Sequence, residues 1–183
     1  MKCASCGCAR VFHRIGTGNG VPVGVEYCDD RHAKPCNCRG FVPGPLRSIY
    51  VMGSMRNTKV PEVAKLLRER AWDAFDDWYS PGPETDDKWQ EYERLRGRTY
   101  HEALYGYHAT DVFEFDKKHL DRCEAGLLVL PAGKSAHIEL GYLIGRGKKA
   151  YILLDGEPER FDLMYQFATA VFTSVDEMLK VLK

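Results

Sequence analysis

Leu127-Leu-Val-Leu-Pro-Ala-Gly-Lys-Ser-Ala-His-Ile-Glu139-Leu-Gly-Tyr142 is the stretch on which the reading of this chain turns. It opens as an apolar run rich in branched side chains and stops at Pro131 and Gly133. A helical pattern then starts at about Ser135 and carries a carboxylate, Glu139, in its first turn or so. Residues 150–154 form a second strand-like run after Gly145-Arg-Gly-Lys-Lys, which completes a strand–helix–strand unit. A buried strand feeding a glycine-containing turn and a helix N-terminus is where α/β proteins bind anions and place catalytic groups. The pattern aims Glu139 at a crevice beside the carboxyl end of a strand.

The same alternation continues on both sides of this unit. Residues 48–52 predict a first strand ending at Gly53-Ser-Met-Arg56, and residues 60–70 a helix with Pro61 in its first turn and Val60, Val63, Ala64 and Leu67 on one face. Residues 71–78 predict a second, polar strand. Ser80-Pro-Gly-Pro83 breaks the chain, residues 86–105 predict one long polar helix, and residues 113–123 another that leads into the strand at 125–130. Beyond residue 154 follow a helical stretch at 162–168, a short strand at 170–172 and a last helix at 175–182 capped by Ser174. Strands alternating with helices predict a flavodoxin-like or Rossmann-like parallel sheet sandwiched by helices.

Composition narrows the function classes. The 183 residues fit one domain with a small appendage, and 44% hydrophobic with 28% charged residues is globular usage. A formal net charge of +0 gives no global field to draw the chain onto nucleic acid or an anionic membrane. No apolar run approaches the roughly 20 residues of a membrane helix, and Met1-Lys-Cys-Ala-Ser-Cys6 has no apolar core of a secretory signal. The expectation is a cytoplasmic protein, in the host cytoplasm if the gene is viral.

In the predicted layering the strand carboxyl ends share one rim. Tyr50, Gly53, Ser54 and Arg56 arrive there from the first strand, Asp76, Asp77 and Trp78 from the second, and residues 133–139 from the third. Serines, an arginine, free backbone N–H groups and a carboxylate together suit a phosphorylated or polyhydroxylated ligand. A carboxylate there can attack or stabilise a cationic carbon, as in glycoside cleavage. Gly133-Lys-Ser135 is a fragment of a phosphate-loop signature without the upstream glycine spacing, which argues against a nucleoside triphosphatase.

Tyr50-Val-Met-Gly-Ser-Met-Arg56, Asp116 ahead of the 127–130 run, and Pro131-Ala-Gly-Lys-Ser-Ala-His-Ile-Glu139-Leu-Gly-Tyr142 with Gly-Lys-Lys-Ala-Tyr-Ile-Leu after it resemble the nucleoside 2-deoxyribosyltransferase superfamily. That superfamily includes the 2'-deoxynucleoside 5'-phosphate N-hydrolases and has variants in bacteriophages. The resemblance spans residues 48–182, with a longer insertion between the second strand and Asp116 than short members carry. It implies Glu139 as the nucleophile at the anomeric carbon, Asp116 as the carboxylate serving the departing base, and Tyr50 as the residue fixing nucleophile and sugar. It implies Gly53, Ser54, Arg56, Gly133 and Ser135 on the phosphate side. Asp77 and Trp78, with Trp89, are candidates for the base pocket from their place at the strand end and in the insertion. The expected substrate is a nucleoside or nucleoside monophosphate, and hydrolysis is favoured over transfer to a second base because Arg56 and the serines suit a 5'-phosphate. The resemblance also implies a homodimer or higher homo-oligomer, with residues 162–166 completing a neighbour's site.

Six of the seven cysteines fall between Cys3 and Cys38. Residues 1–46, ending at the Pro43-Gly-Pro45 breaker, lack the large apolar residues for a core and need a staple. Cys3, Cys6, Cys28, Cys36 and Cys38 have the density of a structural zinc site, with Cys8, His13 and His32 as further candidates for its four positions. Residues 47–183 form the α/β domain. Two competing readings are a phosphoribohydrolase, which needs a Pro-Gly-Gly turn absent here, and a zinc adaptor that binds a nucleotide without catalysis.

Overall fold

The computed structural model describes residues 13–15, 26–28, 47–158 and 161–182. The chain divides into two compact units, Met1–Leu46 and Arg47–Lys183. In the first, β1 (His13–Ile15) and β2 (Glu26–Cys28) pair antiparallel, with His13 opposite Cys28 and Ile15 opposite Glu26. Cys3, Cys6, Cys36 and Cys38 lie outside the described residues, so the expected zinc set does too, apart from the position of Cys28 at the end of β2. Among the described residues no group of three or more His, Cys, Asp or Glu is placed to hold a metal.

The second unit is built on a parallel five-stranded sheet: β3 (Arg47–Met52), β4 (Trp72–Phe75), β5 (Ala125–Val129), β6 (Lys149–Leu153) and β7 (Ala170–Phe172), in the order β4-β3-β5-β6-β7. Every neighbouring pair is parallel. Such strands are covered on both faces, which is why β3 and β5 read as continuous apolar runs rather than alternating ones. Alternate residues nonetheless serve different layers. Ile49, Val51, Leu127 and Val129 face the layer of α1 (Lys59–Arg68) and α6 (Val175–Val181), packing with Val60, Leu67 and Met178. Tyr50, Met52 and Leu128 face α4 (Tyr107–Arg122) and α5 (Lys134–Gly145), packing with Leu120, Leu140 and Leu143. This is the expected flavodoxin-like sandwich. The order of connection reverses between β3 and β5, and the crevice beyond their carboxyl ends is where such sheets bind ligands.

Four elements differ from those expected. The second strand ends at Phe75 rather than near residue 78. Asp76 is drawn into an ion pair with Arg68, Asp77–Tyr79 turns as a 3-10 helix, and the Trp78 indole N–H reaches back to the Val51 carbonyl at 2.8 Å. The single polar helix expected over 86–105 is two, α2 (Thr85–Leu95) and α3 (Tyr100–Leu104). Gly97 between them takes a left-handed φ of 69°, and Thr99 with Glu102 closes a reciprocal capping box on α3. Helix α4 begins at Tyr107, six residues before the expected start, and its first turns expose Tyr107, Val112 and Phe113. The stretch expected to be helical at 162–168 is a 3-10 helix, Leu163–Phe167. No helix among the described residues is long and apolar enough to cross a membrane.

Candidate active site

Two turns meet at the reversal point. The first leaves β3 through Gly53, where a Cβ would come within 2.6 Å of the Val60 side chain and 3.1 Å of the Val129 carbonyl, so only glycine lets the chain turn this close to α1 and β5. The second runs from β5 to Gly133, the N-cap of α5. Asn57, 7% exposed, joins them: its amide N–H₂ donates to the carbonyls of Val129 (3.3 Å) and Pro131 (3.2 Å), while its Oδ1 accepts from the Lys59 N–H. A small pocket of about 180 Å³ lies between the turns, lined by Ser54, Arg56, Asn57, Pro131, Ala132 and Gly133. Ser54 accepts from the Arg56 N–H through its hydroxyl, and the Arg56 guanidinium reaches Asp87 of α2 at 2.8 Å.

The structure thus brings Ser54, Arg56 and Gly133 of the expected phosphate side around one pocket. Asn57, which the sequence reading passed over, stands between them. An asparagine in a loop after a strand carries no signal of its own, because its role depends on carbonyls more than seventy residues away. Ser135 sits one step aside, in the first turn of α5. It borders a cleft of about 520 Å³ formed with α2 and α3, which includes Asp87, Trp89 and Arg98. The Trp89 indole nitrogen is buried with no hydrogen-bond partner among the described residues.

Beneath these turns three titratable side chains converge from three elements. Tyr50 comes from β3 and is 1% exposed; Asp116 comes from α4 and Glu139 from α5, both half-buried. Glu139 stands in the second turn of α5 rather than the first, since the helix starts at Lys134. Burial, with the charge of Asp116 added, pushes the Glu139 carboxyl up to about 7. Burial also pushes Asp116 up to about 6, against a hydrogen-bonding interaction with Tyr50 that draws it down. One oxygen of Asp116 is wholly buried and unpartnered among the described residues. The Tyr50 hydroxyl is raised far above its usual range, first by burial and then by the charges of Glu139 and Asp116. The charge of Asp116 thus adds to burial in raising the proton affinity of Glu139, and buried groups perturbed by a specific charged neighbour are functional-site candidates.

Of the remaining sequence candidates, Trp78 is half-buried and packs on both core layers with its N–H given to Val51. Asp77 opens the 3-10 turn, and its charge acts on His119 and Arg122 of α4. Neither is placed with the Ser54–Gly133 pocket. His137 is engaged at both ring nitrogens, with the Gly133 carbonyl at 2.8 Å and the Tyr165 hydroxyl at 3.2 Å, and so acts as a brace between α5 and the Leu163–Phe167 turn.

No family model matches the chain, and no curated protein matches it. Seven chains of known structure do. One is the CMP N-glycosidase BcmB of Clostridium botulinum, at 15% identity and a TM-score of 0.45, over 74% of this chain and 97% of that one. Another is a 2-deoxyribosyltransferase of Bacillus psychrosaccharolyticus, at 17% identity and a TM-score of 0.49, over 74% of this chain and 95% of that one.

Proposed function

We propose that the chain cleaves the N-glycosidic bond of a deoxynucleoside or nucleoside 5'-monophosphate and releases the free base. The observation that carries this reading is the pair of buried, perturbed carboxyls Glu139 and Asp116 with Tyr50, taken together with the pocket lined by Ser54, Arg56 and Gly133. The pocket offers an arginine, a hydroxyl and a helix N-terminus to a phosphate, and in this reading the sugar extends from it toward the carboxyls.

Between pH 6 and 7 the pair holds about one proton, so one carboxyl can attack while the other donates. In the free protein burial keeps that proton nearer Glu139. Positive charge developing at the anomeric carbon favours the ionised Glu139 and moves the proton to Asp116. The C1'–N bond then breaks as the C1'–O bond to Glu139 forms, and the departing base takes the bond's electron pair and the Asp116 proton. Water attacks the glycosyl ester in the second step, giving a proton to Asp116 and regenerating the Glu139 carboxylate. Transfer to a second base would use the same ester. Hydrolysis is preferred because Arg56 with Ser54 and Ser135 suits a 5'-phosphate, and a bare nucleoside gives such groups nothing to pair with.

Purified full-length protein with the four common deoxynucleoside monophosphates should release free base, read by chromatography, and Glu139→Ala should reduce that release at least a hundredfold. Undiminished release by the variant would sink the mechanism. In the same proposal the cysteines of residues 1–46 hold a structural zinc ion, and the protein works as a homo-oligomer. Phe161, Leu163, Met164 and Phe167 form an apolar surface suited to a second copy.

A further inference from the structure

Tyr142 lies three residues after Glu139, on the neighbouring position of the same helical face. Its hydroxyl donates to Asp121 Oδ1 at 2.6 Å, and Asp121 stands near the end of α4, the helix that carries Asp116. The other Asp121 oxygen accepts from Lys117 at 2.8 Å, and Arg146 of the loop after α5 comes within 3.7 Å. Lys148 completes the junction by donating to the carbonyls of Leu120 (2.8 Å), Asp121 (2.6 Å) and Cys123 (2.7 Å). A helix leaves its last carbonyls without internal partners, and an ammonium there satisfies them and complements the dipole. The hydrogen bonds to Lys117 and Tyr142 hold the Asp121 carboxyl down at about 2, so it remains an acceptor at any working pH.

We infer that Tyr142 is a positioning residue: its bond to Asp121 locks α5 against α4 and so fixes the separation of Glu139 and Asp116. The inference rests on the carboxylate reading above. Exposed ion pairs such as Lys117–Asp121 hold little by themselves. The phenol–carboxylate bond is the charge-assisted, directional link across the helix boundary. Misplacement of a reacting group by an ångström can cost a hundredfold in rate, so a lock on this pair has a kinetic consequence that general stability does not. The charged and titratable groups facing Glu139 are Asp116 from α4 and Tyr50 from β3. Those facing the lock are Lys117, Arg146 and Lys148.

Tyr142→Phe deletes only the hydroxyl and keeps the ring in place. It should lower kcat about tenfold per folded molecule, with KM changed less than twofold. It should also move the alkaline limb of the pH–kcat profile downward, because a wider pair couples more weakly and gives up its shared proton at lower pH. Asp121→Asn, whose amide carbonyl still accepts from Tyr142, should keep the limb where it is. A residue of purely structural value would lower the melting temperature and leave kcat per folded molecule and the limb unmoved, and that result would overturn the inference. Carbon-13 titration of Glu139 and Asp116 in the ligand-free protein decides the matter independently of turnover: the Glu139 midpoint falls in Tyr142→Phe, or the lock is wrong. Wild-type protein that releases no base from any nucleotide would instead remove the functional reading and leave this titration standing.

Discussion

At pH 8 the folded chain holds two carboxylates, Glu139 and Asp116, in a place where burial disfavours their charge. A carboxyl whose pKa is raised on folding stabilises the fold only while it is protonated. For Glu139 that contribution is complete below the usual 4.5 and is lost as pH rises through about 7; for Asp116 it is complete below 3.8 and lost through about 6. The shift of Glu139 corresponds to roughly 3 kcal/mol of differential interaction. Glu139→Gln should therefore melt several degrees above wild type at pH 8, with the advantage gone by pH 4. Thermal unfolding at both pH values checks this, and an equal difference at the two would show that charge burial is not the cause. The carboxylate was readable in the sequence as a helix-borne group beyond a strand. Its perturbed acidity was not, because that depends on burial by neighbouring elements and on Asp116 arriving from α4.

Among the elements, the link between the β3–α1 and β5–α5 turns is the one that shapes the pocket proposed to take a phosphate. Asn57→Ala removes the donor that serves the Val129 and Pro131 carbonyls and the acceptor for Lys59. Leaving such buried groups unpaired costs about 1–3 kcal/mol, readable by denaturant unfolding. With the turns released, KM for a deoxynucleoside monophosphate should rise about tenfold, while KM for the unphosphorylated deoxynucleoside changes little. An equal rise for both would place Asn57 outside the phosphate pocket. The strands and most helices could be drawn from local pattern because apolar runs, prolines and glycines punctuate them. The break between α2 and α3 is also written locally, in Gly97 and the Thr99–Glu102 box, though the polarity of the segment runs unbroken across it. The early start of α4 was not written: its first turns expose aromatic side chains, so they lack the apolar face that marks a helix in sequence.

For the whole molecule, residues 1–46 and the α/β unit carry separate proposals that one measurement reads together. Native mass spectrometry of the full chain should give a mass corresponding to at least two chains, with one zinc ion per chain. Replacing Cys3 and Cys6 with serine should remove the metal. Less than half an equivalent in wild type would retire the zinc, and a monomeric mass at micromolar concentration would retire the oligomer. The first proposal grows from cysteine density in a segment too poor in large apolar residues to build a core. The second grows from the resemblance and from apolar side chains that the α/β unit leaves exposed around the Leu163–Phe167 turn.

The sequence by itself determined the alternation of strand and helix, hence a parallel sheet covered on both faces. It also determined that Glu139 follows a strand–turn junction, because hydrophobic period and turn chemistry are local properties. Only the tertiary structure decided that β3 and β5 lie side by side at the point where the strand order reverses. That placement joins Ser54 and Arg56 to Gly133 through Asn57, and Tyr50 to both carboxylates. Tyr142 finds Asp121 by helix packing, twenty-one residues away in the chain. Each of these pairings is a contact between elements, and contacts between elements leave no periodic trace in either partner's sequence.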